Sequence, residues 1–363
     1  MELTLFFSKN ISLQYWKESG MLDREVAIYK KHAEKGITPH FITYDRTASK
    51  DITNKIPFAH IHNNRWHLPK YLYYTLLPVL HWKHLKKTNI IKTNQISGAL
   101  PALQASKLYK KPLIARCGYI LSEFMEKKYG RNARRTRRAL ALEQKLFSKA
   151  GAIIVTTEAM KQNITKRIPG TEKKITILPN YVNTELFKPL ATEKKFDLIF
   201  IGRFSEQKNL EALLTAIDNT GCTALIIGNG SNEQALRQKH PSPNIHWKKN
   251  VANSDLPLWL NKSKIFILPS HYEGHPKVLI EAMACGCAVI GTNVPGIREV
   301  IEDRVTGILS KKDAENLSHT IKELLENQNL RNELGKNAQA FAHTNYSLDH
   351  IVQVERSIIK KLI

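Results

Sequence analysis

Short apolar runs alternate with longer mixed stretches along the whole chain. Leu3–Phe7, Pro39–Tyr44, Phe58–Ile61, Ile90–Thr93, Leu113–Arg116 and Ile153–Thr156 read as strands of the first half. Phe196–Gly202, Leu225–Gly228, Ile245–Trp247, Ile265–Leu268, Ala288–Gly291 and Gly307–Leu309 read as strands of the second. Runs such as Phe196–Gly202 are continuous, not alternating, as in parallel strands buried on both faces. Helical stretches separate them. Asp23 and Gly36 have the residue types for the start and end of a helix over 23–35. Leu68–Lys87 reads as a core helix kinked at Pro78. The sharper alternative is an interfacial membrane helix, apolar face down, with Lys83, Lys86 and Lys87 among headgroups. Strand–helix alternation predicts an α/β protein with parallel sheets.

The pattern breaks once, over residues 175–189, at Pro179-Asn180, before the polar stretch Thr192–Lys195. The expected domains are residues 1–185 and 190–345, followed by a helix over 346–363 that starts at Ser347. The opening strand, loop, helix and strand are Rossmann-like but lack the GxGxxG fingerprint.

One stretch combines several ligand-binding features, HYEGHPKVLIEAMACG at 271–286. It follows a strand and opens a helix, with Pro276 in the first turn and Gly286 at the C-terminus. Glu273, Gly274, His275, Pro276 and Lys277 then sit at a helix mouth, where free N–H groups favour an anion. Strand C-termini are also where doubly wound sheets bind ligands. Glu273 and Glu281 would repel an anion, so they suit hydroxyls of a sugar or ribose. Arg203 and Lys208 lie between a strand and a helix and can clamp phosphate, Arg through a planar fork and Lys as a point charge. The turn at Gly228 and Gly230 leaves room for a nucleotide.

Glu273, seven residues, then Glu281, within EGHPKVLIEAMACGCAVIGTNVPGIREVI, resembles the donor-site signature of the retaining glycosyltransferases of family 4. Gly202-Arg203 with Lys208 resembles that family's donor-diphosphate clamp, and 175–189 its interdomain linker. The resemblance is carried by specific motifs over 175–345 and by organisation over 1–174. It implies the GT-B fold: two Rossmann-like domains facing across a cleft, donor in the second, acceptor in the first, and the last helix returning to the first domain. It implies Arg203, Lys208 and Glu273 as catalytic groups, Glu281 on the ribose, and Asn250 and Val251 on the base. Gly20 stands where relatives carry a paired-glycine loop. Asn94 and Gln95 occupy a loop where many relatives carry a catalytic-side His, and Tyr119 follows the next strand. These four are acceptor-side candidates, and no general base is assigned.

Charge adds a partner. The chain has 55 Lys+Arg against 32 Asp+Glu, a net +23. Residues 1–180 hold 33 basic and 12 acidic residues, so nearly all the excess lies in the first half. Lys127, Lys128, Arg131, Arg134, Arg135, Arg137 and Arg138 crowd about three turns and repel one another unless an anion relieves them. Anionic headgroups or a pyrophosphate-linked lipid acceptor fit. Nucleic acid fits less well, for want of interleaved aromatics and a known motif. The cysteines, Cys117, Cys222, Cys285 and Cys287, have neither disulfide-framework nor zinc spacing. No signal peptide or membrane span is read, so the expected location is cytoplasmic, with peripheral membrane contact. No Asp-x-Asp occurs, so no metal and no cofactor are expected at the donor site. The resulting expectation is transfer of a hexosyl unit from a nucleoside-diphosphate sugar to an acceptor hydroxyl. A nucleotide-sugar epimerase or phosphorylase on the same fold, or a non-catalytic binding protein, are the alternatives.

Overall fold

A computed structural model describes residues 1–47 and 49–363. The first unit comprises residues 1–179 and 351–363, the second 180–350. In the first, β1 (Glu2–Phe6), β2 (Thr38–Ile42), β3 (His60–His62), β4 (Ile90–Thr93), β5 (Leu113–Cys117), β6 (Ala152–Val155) and β7 (Ile175–Ile177) form one sheet. Its order is β3-β2-β1-β4-β5-β6-β7. In the second, β8 (Phe196–Ile201), β9 (Ala224–Ile227), β10 (Ile245–Lys248), β11 (Ser263–Leu268), β12 (Ala288–Thr292) and β13 (Ile308–Ser310) form the other. Its order is β10-β9-β8-β11-β12-β13. Every pairing between these strands is parallel. Each sheet grows outward from its first strand, then restarts on that strand's other side. The strand order therefore reverses between β1 and β4, and between β8 and β11. Crevices for ligands open at such reversals, at the C-terminal strand ends. The strands flanking the second reversal are deeply buried, with Leu198, Ile199, Phe200 and Ile265–Leu268 fully inaccessible.

Several local features differ from the sequence reading. The ITI of the expected linker is β7, paired with β6. The division falls at 179/180 rather than 185–190, because Val182 and Phe187 are buried in the second unit's core. The expected loop Ser8–Leu22 contains a helix, Leu13–Glu18. Its start is fixed by the Asp45 carboxylate, which accepts from the Leu13 and Gln14 N–H groups at 2.9 and 3.2 Å. Asp23 lies inside the helix Leu22–Glu34, whose N-cap is Met21. The stretch 68–87 forms two helices, Lys70–Leu80 and Trp82–Lys87, broken at His81 and not at Pro78. Tyr73 and Leu77 point into the core. Tyr71, Leu72, Leu76, Val79 and Trp82 are exposed, so the core-helix expectation describes one face only.

The last helix, Leu348–Leu362, runs from the second unit into the first. Its Glu355 is fully buried, ion-paired to Lys92 of β4 and 3.5 Å from the His32 ring. Burial alone would raise this carboxyl, but Lys92 and His32 outweigh it and hold it below the usual range.

Candidate functional site

The loops after β8 and β11 meet at the second unit's strand-order reversal. Asn209, in the left-handed region at φ 52°, turns the chain after a one-turn 3-10 helix over Glu206–Lys208. Its side-chain amide donates to the Pro269 carbonyl at 3.1 Å and the Lys312 carbonyl at 2.8 Å. The His271 N–H donates to the Gln207 carbonyl at 2.8 Å, and the Gln207 amide to the Tyr272 carbonyl at 2.9 Å. These ties bring Lys208 Nζ to 2.5 Å from Glu273 Oε1, and Ser270 Oγ donates to the same oxygen at 2.7 Å. Both charged side chains are largely shielded, which strengthens their attraction. Arg203, in the same loop as Lys208, is exposed and carries no ion pair among the described residues. The arrangement offers two cations and one carboxylate at a sheet crevice. That set can hold a diphosphate and the hydroxyls of a group attached to it.

The glycines in these loops let the backbone pack closely on itself. A Cβ on Gly228, whose φ is 150°, would lie 1.9 Å from the Gly202 carbonyl oxygen. One on Gly230 would lie 2.1 Å from the Phe204 carbonyl oxygen. One on Gly202 itself would lie 2.9 Å from the Phe200 ring. At Gly228 and Gly230 the space a side chain would need is taken by the protein's own backbone. Gly296, in the PGIREV segment, does the same for the Glu273 loop: its Cβ would lie 2.0 Å from the Gly274 carbonyl oxygen.

Pro276 is the N-cap of the helix Lys277–Ala284, one position before the expected first turn. Gly274 is exposed on the approach to it. His275 faces inward: it is buried, its ring packs edge-on against Tyr346 at 5.3 Å, and burial pushes its pKa down to about 3. It is therefore neutral at physiological pH, and its carbonyl accepts from the Asn180 amide at 2.6 Å. Lys277 lies 6.0 Å from the Tyr181 ring centroid. Glu281 is buried, and its Oε1 accepts from the Asn253 amide at 3.0 Å. Asn250 is exposed and Val251 packs against the second core. Asn253, Ser270, Asn209 and Gly296 were missed in the sequence. Asn253 stood three residues past Asn250 in the same polar turn, but its partner lies 28 positions away.

The first unit's reversal has a different content. Asn94 N–H donates to the Phe6 carbonyl at 2.9 Å, and its side chain to Ser8 Oγ at 3.4 Å. Gln95 Oε1 accepts from the Gly118 N–H at 2.9 Å. Both side chains therefore tie strand ends together. Gly20, at φ 69°, closes the helix Leu13–Glu18. Gly98 lets the loops after β1 and β4 pack closely, since a Cβ there would lie 2.5 Å from the Lys9 nitrogen. Tyr119 is partly exposed.

Lys127, Lys128, Arg131, Arg134, Arg135, Arg137 and Arg138 are all exposed. Lys128 and Arg135 flank the Tyr129 ring at 5.4 and 4.7 Å from its centroid. The helix Arg134–Lys149 buries Ala139, Leu146 and Phe147, while Leu140 and Leu142 are only half-buried. No described helix is long and apolar enough to cross a membrane.

Comparison with known proteins follows this division. Residues 182–341 match the family model described as glycosyl transferases group 1, and residues 26–186 the one described as glycosyltransferase family 4. An uncharacterized glycosyltransferase of Methanocaldococcus jannaschii is 27% identical over 215 residues, 58% of this chain and 59% of that protein. A Campylobacter jejuni N,N'-diacetylbacillosaminyl-diphospho-undecaprenol alpha-1,3-N-acetylgalactosaminyltransferase is 32% identical over 169 residues, 44% of each chain. The matched stretches thus span about half the length of these curated relatives. Among solved structures, Anabaena HepE in complex with UDP superposes with a TM-score of 0.79 at 16% identity, covering all of both chains.

Proposed function

From the premise that this chain is a GT-B-fold protein of the glycosyltransferases related to family 4 and group 1, we propose that it moves a hexosyl unit from a nucleoside-diphosphate sugar to an acceptor hydroxyl with retention at the anomeric carbon. The observation that carries the reading is the Lys208–Glu273 pair, stitched in place at the second unit's strand-order reversal beside Arg203. The leaving group is a diphosphate, so the main requirement is stabilisation of developing negative charge. Arg203 and Lys208 supply fixed cations, and the orphan N–H groups of the helix Lys277–Ala284 add a partial positive charge. These groups already provide the charge that the departing diphosphate requires. Glu273 orients Lys208 and holds the sugar hydroxyls, and Glu281, braced by Asn253, is the group assigned to the ribose. The acceptor attacks from the leaving-group side and the departing phosphate takes its proton, so no covalent sugar–enzyme adduct forms.

The acceptor is a lipid-linked or otherwise anionic glycan, reached from the cytoplasmic face of a membrane. Support comes from the seven exposed cations over 127–138 and from the C. jejuni relative, whose name specifies a diphospho-undecaprenol acceptor. The test is a product assay. A matched nucleotide sugar is supplied with a polyprenyl-diphosphate-linked glycan in vesicles, and the new anomeric linkage is read by NMR. A linkage of the donor's configuration, lost in Lys208→Met, supports the reading. Interconversion of nucleotide sugars without an acceptor replaces it with an epimerase, and a trapped glycosyl–Glu273 adduct overturns the front-side route.

A further inference from the structure

Sheet register in the first unit lines up Thr4, His40 and His60 across β1, β2 and β3, and puts Ile42 beside His62. Side chains alternate along a strand, so His40, His60 and His62 share one face of the sheet edge. The helix Trp82–Lys87 carries His84 onto that face. His84 stacks on His40 and on His62, with ring centroids 4.1 and 4.2 Å apart. His40 Nδ1 and His62 Nε2 are 3.1 Å apart and share a hydrogen bond. One nitrogen from each of His40, His62 and His84 can be chosen so that all three lie within 4.8 Å of one another.

From this cluster, we infer that His40, His62 and His84 form a site for a divalent transition metal of the zinc class, separate from the donor residues, which all lie in the second unit. Imidazole is the ligand type such ions prefer, in its neutral form. Burial and mutual repulsion keep these rings neutral, with His40 and His62 pushed down to about 4. His40 Nε2 is buried and has no hydrogen-bond partner, in a side chain only 7% exposed. His84 Nε2 lies 2.7 Å from Thr4 Oγ1, which itself meets Thr88 Oγ1 at 2.7 Å. A hydroxyl on one ring nitrogen orients the ring and leaves Nδ1 as the donor, 4.0 Å from Glu2 Oε2. His81 stands apart from the set, with its ring centroid 5.7 Å from that of His62 and turned edge-on to it. Solvent reaches the cluster through a surface pocket of about 610 Å³, lined by His62 and His84 together with Arg65, Trp66 and Trp82.

The stacked rings are tilted by only 21° and 18°, so no point within the cluster lies in all three ring planes. Nitrogens about 2.0–2.1 Å from a tetrahedral zinc would be roughly 3.3 Å apart. Occupation therefore turns the rings about χ2 and draws them inward. The bound ion would fasten the three-residue edge strand β3 and the helix Trp82–Lys87 to β2, a structural rather than catalytic role.

The experiment uses the tag-free full chain, stripped with chelator, and titrates it with Co²⁺ followed by visible absorption and with Zn²⁺ in competition. The expected result is one equivalent bound at micromolar metal, with the d–d bands of nitrogen-ligated tetrahedral Co²⁺. Affinity should fall at least tenfold in His62→Gln and in His84→Gln, and stay unchanged in His319→Gln, an exposed histidine of the second unit. Thr4→Val should weaken binding by about tenfold, the scale of a lost orienting contact. His40→Gln alters a buried ring and is checked for folding first. Absence of stoichiometric binding by the wild type overturns the inference whatever the variants do. So does a thiolate charge-transfer band, which would assign the metal to the buried cysteines, or equal affinity in all the histidine variants.

Discussion

The two units carry the same strand topology around their reversals and fill those reversals with opposite chemistry. In the second, the loops after β8 and β11 bring an ammonium and a carboxylate to 2.5 Å, with a guanidinium in the same loop. In the first, the loop after β4 is tied by neutral groups to the loops after β1 and β5, Asn94 to Ser8 and Gln95 to Gly118. The first unit instead concentrates exposed cations on the turns around Arg134. A group transferred from a diphosphate needs fixed charge at one place.

Four substitutions probe this contrast. The largest effect is expected at Glu355. Glu355→Gln leaves Lys92 buried without its counter-charge and should cost about 3–5 kcal/mol of first-unit stability. Hydrogen exchange should show the loss in β1–β5 and the last helix while the second unit keeps its protection. Equal loss in both would mean that the units do not have separate stabilities. Next, Lys208→Met should lower turnover about 10²–10³-fold, the effect of removing one fixed charge-stabilising donor. Glu273 loses its counter-charge but keeps the Ser270 hydroxyl, so melting should fall by less than in Glu355→Gln, and a stability loss as large as the activity loss would break the distinction between site and scaffold.

Gly228→Ala should do the reverse. It drives a Cβ into the Gly202 carbonyl and should destabilise the second unit by about 1–3 kcal/mol, as strained backbone positions do. Urea denaturation measures it, and an unchanged midpoint would return Gly228 to a ligand role. The smallest effect at neutral pH is expected at His275, where it develops only in acid. Its pKa is depressed from 6.5 to about 3, so the unfolded chain binds the extra proton first. The stabilisation is complete above about 6.5 and is lost as pH falls toward 3. His275→Leu should flatten that limb of the second unit's stability profile, and an identical slope would mean that the imidazole is solvated.

Much of this was legible in the sequence for a physical reason. Parallel strands buried on both faces read as continuous apolar runs, so eleven of the thirteen strands overlap the runs closely and β3 overlaps at its end. Only β7 went unread, because Ile175–Ile177 is a short edge strand followed by Pro179. Lys208 and Glu273 were nameable because each sits in a loop whose flanking strand and helix are local signals. The glycine roles at Gly228 and Gly98 were not, since the atoms they make room for come from distant loops. The histidine cluster was equally hidden. His40, His62 and His84 are far apart along the chain, and only register and helix placement bring them together.

The central claim is that the loops after β8 and β11 bind a nucleoside-diphosphate sugar. The most direct test is a thermal-shift panel of UDP-, GDP-, ADP- and dTDP-sugars on the wild type and on Arg203→Ala. Stabilisation by one nucleotide, abolished in the variant, is the expected result and fixes the base. No shift with any of them, or the same shift in the variant, would contradict the claim.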